Sequence, residues 1–404
     1  MSGYPRVRND LPWAPAAMGG YVGRRAVSAG VHDPLLACAL AVEVGGARAV
    51  LVGIDTLVVT REFTGAVRES LTAHGLAPEN VLVAATHTHA GPDLFAWWEG
   101  EHPVALERTL EAACGAARQA VERLEPAGLH FGEAQLQHVS VNRRDELRGP
   151  LDQSVSVLRA VRPDGTTLGL LVSFACHAVT LDYANLLFSA DYVAPLRAAL
   201  AAVYPGAATV FLNGAAGNIN PARYPYEERA NIYIPQTLEN YPVFWGGFHD
   251  AGRVGRSVAG AAIEAAERAT PLDVSHVAGA VETVELPLKR GDELERFLDF
   301  MAFRDAYREA FAGRETLATE VQRLELGPLR IVALPGEPFV ELGLELKERG
   351  ASVVVGFAND DVRYVMTPDA YVEGQYETVG TALAAGSATA LVEAAAGLLE
   401  LVDR

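Results

Sequence analysis

Apolar residues recur along this chain in short runs, and most runs stop at glycine, proline or a small polar residue. Segments 35–43 and 47–53 are strand-like and flank Gly45-Gly46, a hairpin signal. Segment 61–74 has helical spacing. Segment 81–92, VLVAATHTHAGP, begins as an apolar strand and breaks into His87, Thr88, His89 and a Gly91-Pro92 turn. A long alanine-rich amphipathic helix is predicted over 104–124. Strands follow at 129–141, 154–161 and 167–174, the last two paired across Pro163-Asp164-Gly165, and the chain then runs into Cys176-His177-Ala178. The pattern continues as a helix over 191–204, a short strand over 209–212 and a helix over 250–270. It closes with a strand at 275–286, a helical stretch at 292–311, a strand at 329–334, a helix at 340–349, a strand at 352–357 and a helix at 380–401.

Two stretches do not fit this alternation. Residues 1–34 are rich in proline and glycine and read as loop. Residues 222–248 are irregular and carry Tyr224, Tyr226, Tyr233, Tyr241, Phe244, Trp245 and Phe248. A loop of this length inside a compact chain is usually a lid or a binding loop. No repeat, low-complexity segment or evident linker interrupts the rest. The expectation is one α/β domain over residues 1–404, with mixed β-sheets flanked by helices, because hairpins and crossovers both occur.

The polar residues at the strand ends matter more than the strands. Apolar runs end at Asp55, at His87 and His89, near His177, at the loop 217–221, near Glu337, and before Asn359 to Tyr364. In α/β sheets, ligands bind at the carboxyl edge of the strands. Six such endings point to one shared site. His87 and His89 are two residues apart in extended chain, so both rings face one side. Histidines plus a carboxylate, with a position left for water, form the ligand set of a catalytic zinc. Magnesium or calcium would call for mostly oxygen ligands.

Each of these residues also has an ordinary structural explanation. His177 can be a satisfied core histidine, and Glu337 a carboxylate at a helix N-terminus. Tyr364 can be a buried phenol, and Arg143 can pair with Asp145 or Asp152. Asp55 and Asp191 can orient a ligating histidine or simply serve a turn.

Composition narrows the partners. Half of the 404 residues are apolar and the net charge is −18. No long basic run is present, which argues against nucleic acid and against polybasic docking on anionic lipid. Three cysteines, Cys38, Cys114 and Cys176, form neither a disulfide framework nor a cysteine zinc motif. The first residues lack an apolar leader core, and no stretch reaches the ~18 apolar residues of a spanning helix. A cytoplasmic protein with no stable membrane anchoring is expected.

Taken in order, THTHAGP, Asn142-Arg143-Arg144 after a strand, FACHAVTL, NGAAGNINP, LPGEPF and the segment Asn359 to Tyr364 resemble the neutral/alkaline ceramidase family. The likeness runs from about Gly30 to Tyr376. It implies an α/β catalytic domain with a buried zinc that hydrolyses the amide of an N-acyl sphingosine. It also implies His87, His177, Glu337 and Tyr364 as zinc ligands, His89 beside the metal facing the substrate, and Arg143 holding the substrate. One departure is chemical. The family carries a serine before the proline of its glycine loop, and Asn220 stands there in this chain. Asparagine has no nucleophilic oxygen but can donate to a developing oxyanion.

The expectation is therefore a zinc-dependent hydrolase of an N-acyl amide or related carbonyl bond, acting through metal-activated water on a small, amphiphilic substrate. His89, Arg143, Asn220 and Asp55 are the catalytic candidates. Gly217, Trp97, Tyr224 and Trp245 are the substrate-binding candidates. A zinc hydrolase of a sugar or cyclitol derivative, lactone or ester is the alternative reading, and a non-catalytic binding homologue is a second.

Overall fold

The computed structural model describes residues 16–21, 24, 26–95, 103–222, 246–301 and 304–401. Three sheets carry the fold. In the first, Ala37–Val44 runs antiparallel to Ala47–Ile54, which runs parallel to Val81–Ala85. The second has the order Ala208–Asn213, Thr167–Phe174, Ser154–Val161, Gly128–Gln135, Thr270–Pro271, and only its first pair is parallel. The third is Val277–Pro287, Thr316–Leu326, Leu329–Ala333, Val353–Val355, again with one parallel pair at the end. These are mixed sheets with helices on their outer faces, as the sequence pattern predicts.

The two faces of each strand explain its unbroken apolar run. In Ala47–Ile54, Ala49 and Leu51 point into a core shared by all three sheets, where they meet Leu158, Leu171 and Leu212 of the second and Leu324, Ile331 and Val355 of the third. Val50, Val52 and Ile54 point the other way, against Phe63 and Val67 of the helix Arg61–Glu69 and Ala113 and Ala117 of Pro103–Glu122. The second sheet turns Val155, Val157 and Val172 toward the helices Val193–Val203 and Phe248–Glu267. The third turns Val321, Val332 and Val354 toward Val340–Glu348 and Ser387–Glu400. A strand covered on both sides reads as continuous apolar sequence. A one-residue slip would exchange the two cores, so register is tightly specified.

The structure departs from the sequence expectations in several places; the helix expected over 380–401 begins only at Ser387, and that expected over 61–74 ends at Glu69. The strand expected over 129–141 ends at Gln135, and after a left-handed His138 the chain resumes as Ser140–Asn142, paired with Ile219–Pro221. The helical stretch 292–311 is two helices, Asp292–Phe300 and Arg304–Phe311, broken where Met301 turns extended. Thr316–Leu326 is a central strand that hydrophobic patterning does not reveal, because Glu320, Gln322, Arg323 and Glu325 are buried in it. Arg68 pairs with Glu320 at 2.7 Å, which keeps that burial tolerable. Among the described residues no helix is long and apolar enough to cross a membrane, and all three cysteines are free.

The first and second sheets touch through backbone. A Cβ on Gly53 would lie 2.4 Å from the carbonyl oxygen of Phe211. Gly53→Ala is therefore expected to lose ~1–3 kcal/mol of stability in urea denaturation, the usual range for overpacking. Gly65, in the helix Arg61–Glu69, faces open space. Gly65→Ala should gain ~0.5–1 kcal/mol in the same assay.

Candidate metal centre

The carboxyl ends of strands from all three sheets converge. His87 lies two residues beyond Val81–Ala85 and adopts a left-handed backbone, φ 63°. His177 follows Thr167–Phe174, and Glu337 follows Leu329–Ala333. Short bridges join these ends: Thr88 pairs with Ala178, Ala84 with Ala358, and Glu337 with Tyr364. Gly217 completes the packing. A Cβ there would sit 2.3 Å from the carbonyl oxygen of Glu337, and its N–H donates to the Pro338 carbonyl at 2.8 Å.

His87, His177 and Glu337 are almost fully buried. The Nδ1–H of His87 donates to the Leu57 carbonyl at 2.7 Å, and that of His177 to the Ala216 carbonyl at 2.6 Å. Those bonds select the tautomer and leave each Nε2 with a lone pair. Both lone pairs point inward. Nε2 of His177 is 3.2 Å from Oε2 of Glu337, and Nε2 of His87 is 3.4 Å from the same oxygen. Burial holds His177 down to about 4, so it is neutral at pH 7. Burial opposes ionisation of Glu337, and an imidazole beside it favours the anion only as a proton donor, so with both Nε2 atoms unprotonated the carboxylate calls for a cation. Two lone pairs and an anionic oxygen facing one point repel one another until a cation stands among them. Nitrogen and oxygen donors in this combination suit zinc. The ligand atoms of His87, His89 and His177 also lie within 4.8 Å of one another.

His89 occupies the outer side of the cluster. Its Nε2 is 3.2 Å from Nε2 of His87, and its buried Nδ1 has no hydrogen-bond partner among the described residues. Burial, reinforced by the two neighbouring histidines, keeps it neutral. A segment from near the N-terminus walls it in. Gly20 is left-handed, φ 103°, with its open side against the His89 ring, and Tyr21 meets that ring edge-on at 4.9 Å. Arg24 donates to the His89 carbonyl at 2.8 Å.

Arg143 and Tyr364 form the adjoining wall. Nη2 of Arg143 donates to the Gly217 carbonyl at 2.7 Å, and Nη1 lies 3.5 Å from Oδ1 of Asn220. Nε donates to Glu377 at 2.7 Å, so the partner is Glu377 rather than Asp145 or Asp152. The same carboxylate takes Arg144 at 2.7 Å. The Arg143 guanidinium lies 5.3 Å from the centre of the Tyr364 ring, which meets Tyr376 edge-on at 5.8 Å. Glu377 has no counterpart in the sequence reading; only a buried acid facing consecutive arginines could have hinted at it.

Asp55 and Asp191 are engaged elsewhere, and the histidines are oriented by backbone carbonyls. Asp55 forms a buried ion pair with Arg197 at 2.5 Å and accepts from the Leu36 N–H at 2.8 Å. Asp191 accepts from the N–H groups of Thr180, Leu181 and Tyr192, which fixes the turn after His177. Trp97, Tyr224, Trp245 and most of the loop 222–248 lie outside the described residues.

Comparison with known proteins gives this geometry a context. Residues 12–200 match the family described as neutral/alkaline non-lysosomal ceramidase, N-terminal. A neutral ceramidase of Mycobacterium tuberculosis is 25% identical over 416 residues, covering 80% of this chain and 63% of the relative. Over its N-terminal half the chain is similar to the neutral/alkaline ceramidases. A second ceramidase, from Pseudomonas aeruginosa, is 30% identical over 200 residues, 44% of this chain and 30% of that protein. The crystal structure of a neutral ceramidase from Pseudomonas aeruginosa superposes with a TM-score of 0.76 at 22% identity, over 96% of this chain and 72% of that one, which establishes the shared fold. The chain thus spans less than two thirds of the length of these curated ceramidases.

The buried ion pair under the site gives a direct stability test. Arg197→Met leaves Asp55 charged and buried without its counter-ion. A loss of ~3–5 kcal/mol in chemical denaturation is expected.

Proposed function

We propose that this protein is a zinc-dependent hydrolase of N-acyl amides. The observation that carries the reading is the convergence of the Nε2 atoms of two buried imidazoles on one oxygen of the buried Glu337 carboxylate. The similarity to neutral ceramidases supports an amide as the bond cleaved. His87, His177 and Glu337 would hold the ion, with Tyr364 as the fourth ligand from the strand paired with Glu337. When bound, zinc supplies a Lewis acid that makes water acidic enough to ionise near neutral pH.

The chain's own groups do the rest. Arg143, held by Glu377 and the Gly217 carbonyl, would offer a remaining guanidinium N–H to the reacting carbonyl oxygen. The Asn220 side chain adds an amide donor beside it, and donors of this kind act on the charge that develops in the transition state. His89, neutral and reachable from the cluster, takes the proton of the attacking water at Nε2 and returns it to the departing amine nitrogen. Water oxygen joins the acyl carbon, the C–N bond breaks, and acid and amine leave. With Asn220 at the serine position, no acyl-enzyme forms there.

Metal analysis of the purified protein should find stoichiometric zinc. The double variant His87→Ala, His177→Ala should lose it, together with chelator-sensitive amide hydrolysis. Retention of zinc by the double variant would sink the assignment. On an active substrate, Arg143→Lys should lower kcat/KM by ~100-fold, the scale for losing an oxyanion donor, with zinc content unchanged. A panel of N-acyl amines of rising chain length, presented as monomers and in micelles, identifies the acyl and amine parts preferred. Turnover of esters or lactones alone would replace amide hydrolysis by the alternative carbonyl chemistry.

A further inference from the structure

Buried amide side chains tie together the backbones that carry the cluster. Asn213, fully buried at the end of Ala208–Asn213, accepts from the Cys176 N–H at 3.2 Å. Its Nδ2 donates to the Cys176 carbonyl at 3.0 Å and to the Thr86 carbonyl at 3.3 Å. Cys176 immediately precedes His177, and Thr86 immediately precedes His87. One side chain therefore sets the spacing between the two backbones that present the imidazoles.

Asn359 does the same between the first and third sheets. Its Oδ1 accepts from the Val83 N–H at 3.1 Å, its own N–H donates to the Val83 carbonyl at 2.8 Å, and Nδ2 donates to Oε1 of Gln322 at 2.7 Å. The amide of Gln322 is fixed in turn, donating to the carbonyls of Glu79 and Val81. Val83 leads to His87, and the sheet containing Gln322 leads to Glu337. Asn359 is left-handed, φ 63°, a conformation asparagine tolerates better than most residues. Two residues earlier, Phe357 is also left-handed, φ 54°, and its ring stacks 4.1 Å from that of His87. Asn218 repeats the device beside Gly217, accepting from the Val340 N–H at 2.9 Å and donating to Glu341 at 2.9 Å.

We propose that Asn213 and Asn359 are positioning residues whose side-chain amides fix the separations of His87, His177 and Glu337, so that the site is pre-set before an ion enters. This rests on reading the cluster as a metal centre. The buried amide makes its bonds at dictated distances, and a packed apolar side chain would not. Without these ties, three sheets meeting at their ends would let the ligands drift by more than a metal site tolerates.

The test uses zinc affinity of the whole chain, measured by competition with a chromophoric chelator, next to unfolding curves. Asn213→Ala removes the first tie. Asn359→Gly removes the second while easing the left-handed backbone, so any loss is due to the missing amide. Val157→Ala, buried on the far side of the second sheet, is the control for lost stability alone. Weakening of zinc binding by ~10-fold or more in each folded asparagine variant, with the Val157→Ala affinity unchanged, supports the proposal. Wild-type affinity in both asparagine variants overturns it, as does an equal loss in the control. If the wild type takes up no zinc, the metal-centre reading falls. Crystal structures then decide the frame: unchanged distances among His87, His177 and Glu337 in Asn213→Ala and Asn359→Gly overturn it, and displacement of the histidines supports it.

Discussion

The carbonyls of Leu57 and Ala216 each take an Nδ1–H from a buried imidazole, and this pair of hydrogen bonds decides what the centre of the molecule can be. An imidazole with Nδ1 committed is left with one lone pair in one direction. Because His87 and His177 come from strands of different sheets, the two directions cross only if the sheets dock correctly. The same docking brings in Glu337, whose backbone lies against Gly217 with no room for a side chain between. The chemistry follows from a few backbone contacts that could not be relaxed one at a time.

Burial then separates the roles of chemically similar groups. His87, His177 and Glu337 face inward, where charge is costly and a cation would be welcome. His89, two residues from His87, faces the outer side between Tyr21 and Arg24. Arg143 keeps its charge in the interior because Glu377 is there to meet it, and Glu377 is divided between two arginines. Asp55 is neutralised by Arg197 below the cluster. With Arg143, Arg144 and Glu377 paired together and Asp55 paired with Arg197, Glu337 is left as the carboxylate that an entering cation would meet.

Much of this was legible in the sequence because the strands are apolar on both faces and stop at polar residues. Runs such as 81–85 and 167–174 announce their own ends, and the ends carry His87 and His177. Six polar strand endings were readable as a pattern, but they belong to three sheets rather than one edge, and Asp55 is engaged by Arg197. The strand Thr316–Leu326 was not, because its buried Glu320, Gln322 and Arg323 find partners only after folding. Nor were the orienting groups of the histidines, since a carbonyl belongs to every residue and leaves no mark in composition. Acidic residues near a histidine invite the idea that they orient it, and here Asp55 and Asp191 are occupied elsewhere. Asn213 stood inside a recognised motif, but its side chain reads as part of a loop until the neighbouring strands are in place.

The dispersal of the cluster along the chain has a consequence for biosynthesis. His177 and Glu337 are separated by 160 residues, and they meet only when the second and third sheets have both formed. A chain emerging from the ribosome exposes its His-Thr-His sequence long before the carboxylate exists, and contacts this distant in sequence form late and slowly. An ion held at this cluster would therefore be captured only as folding closes. Within a cell, the fraction of chains carrying metal would report how many have completed their topology.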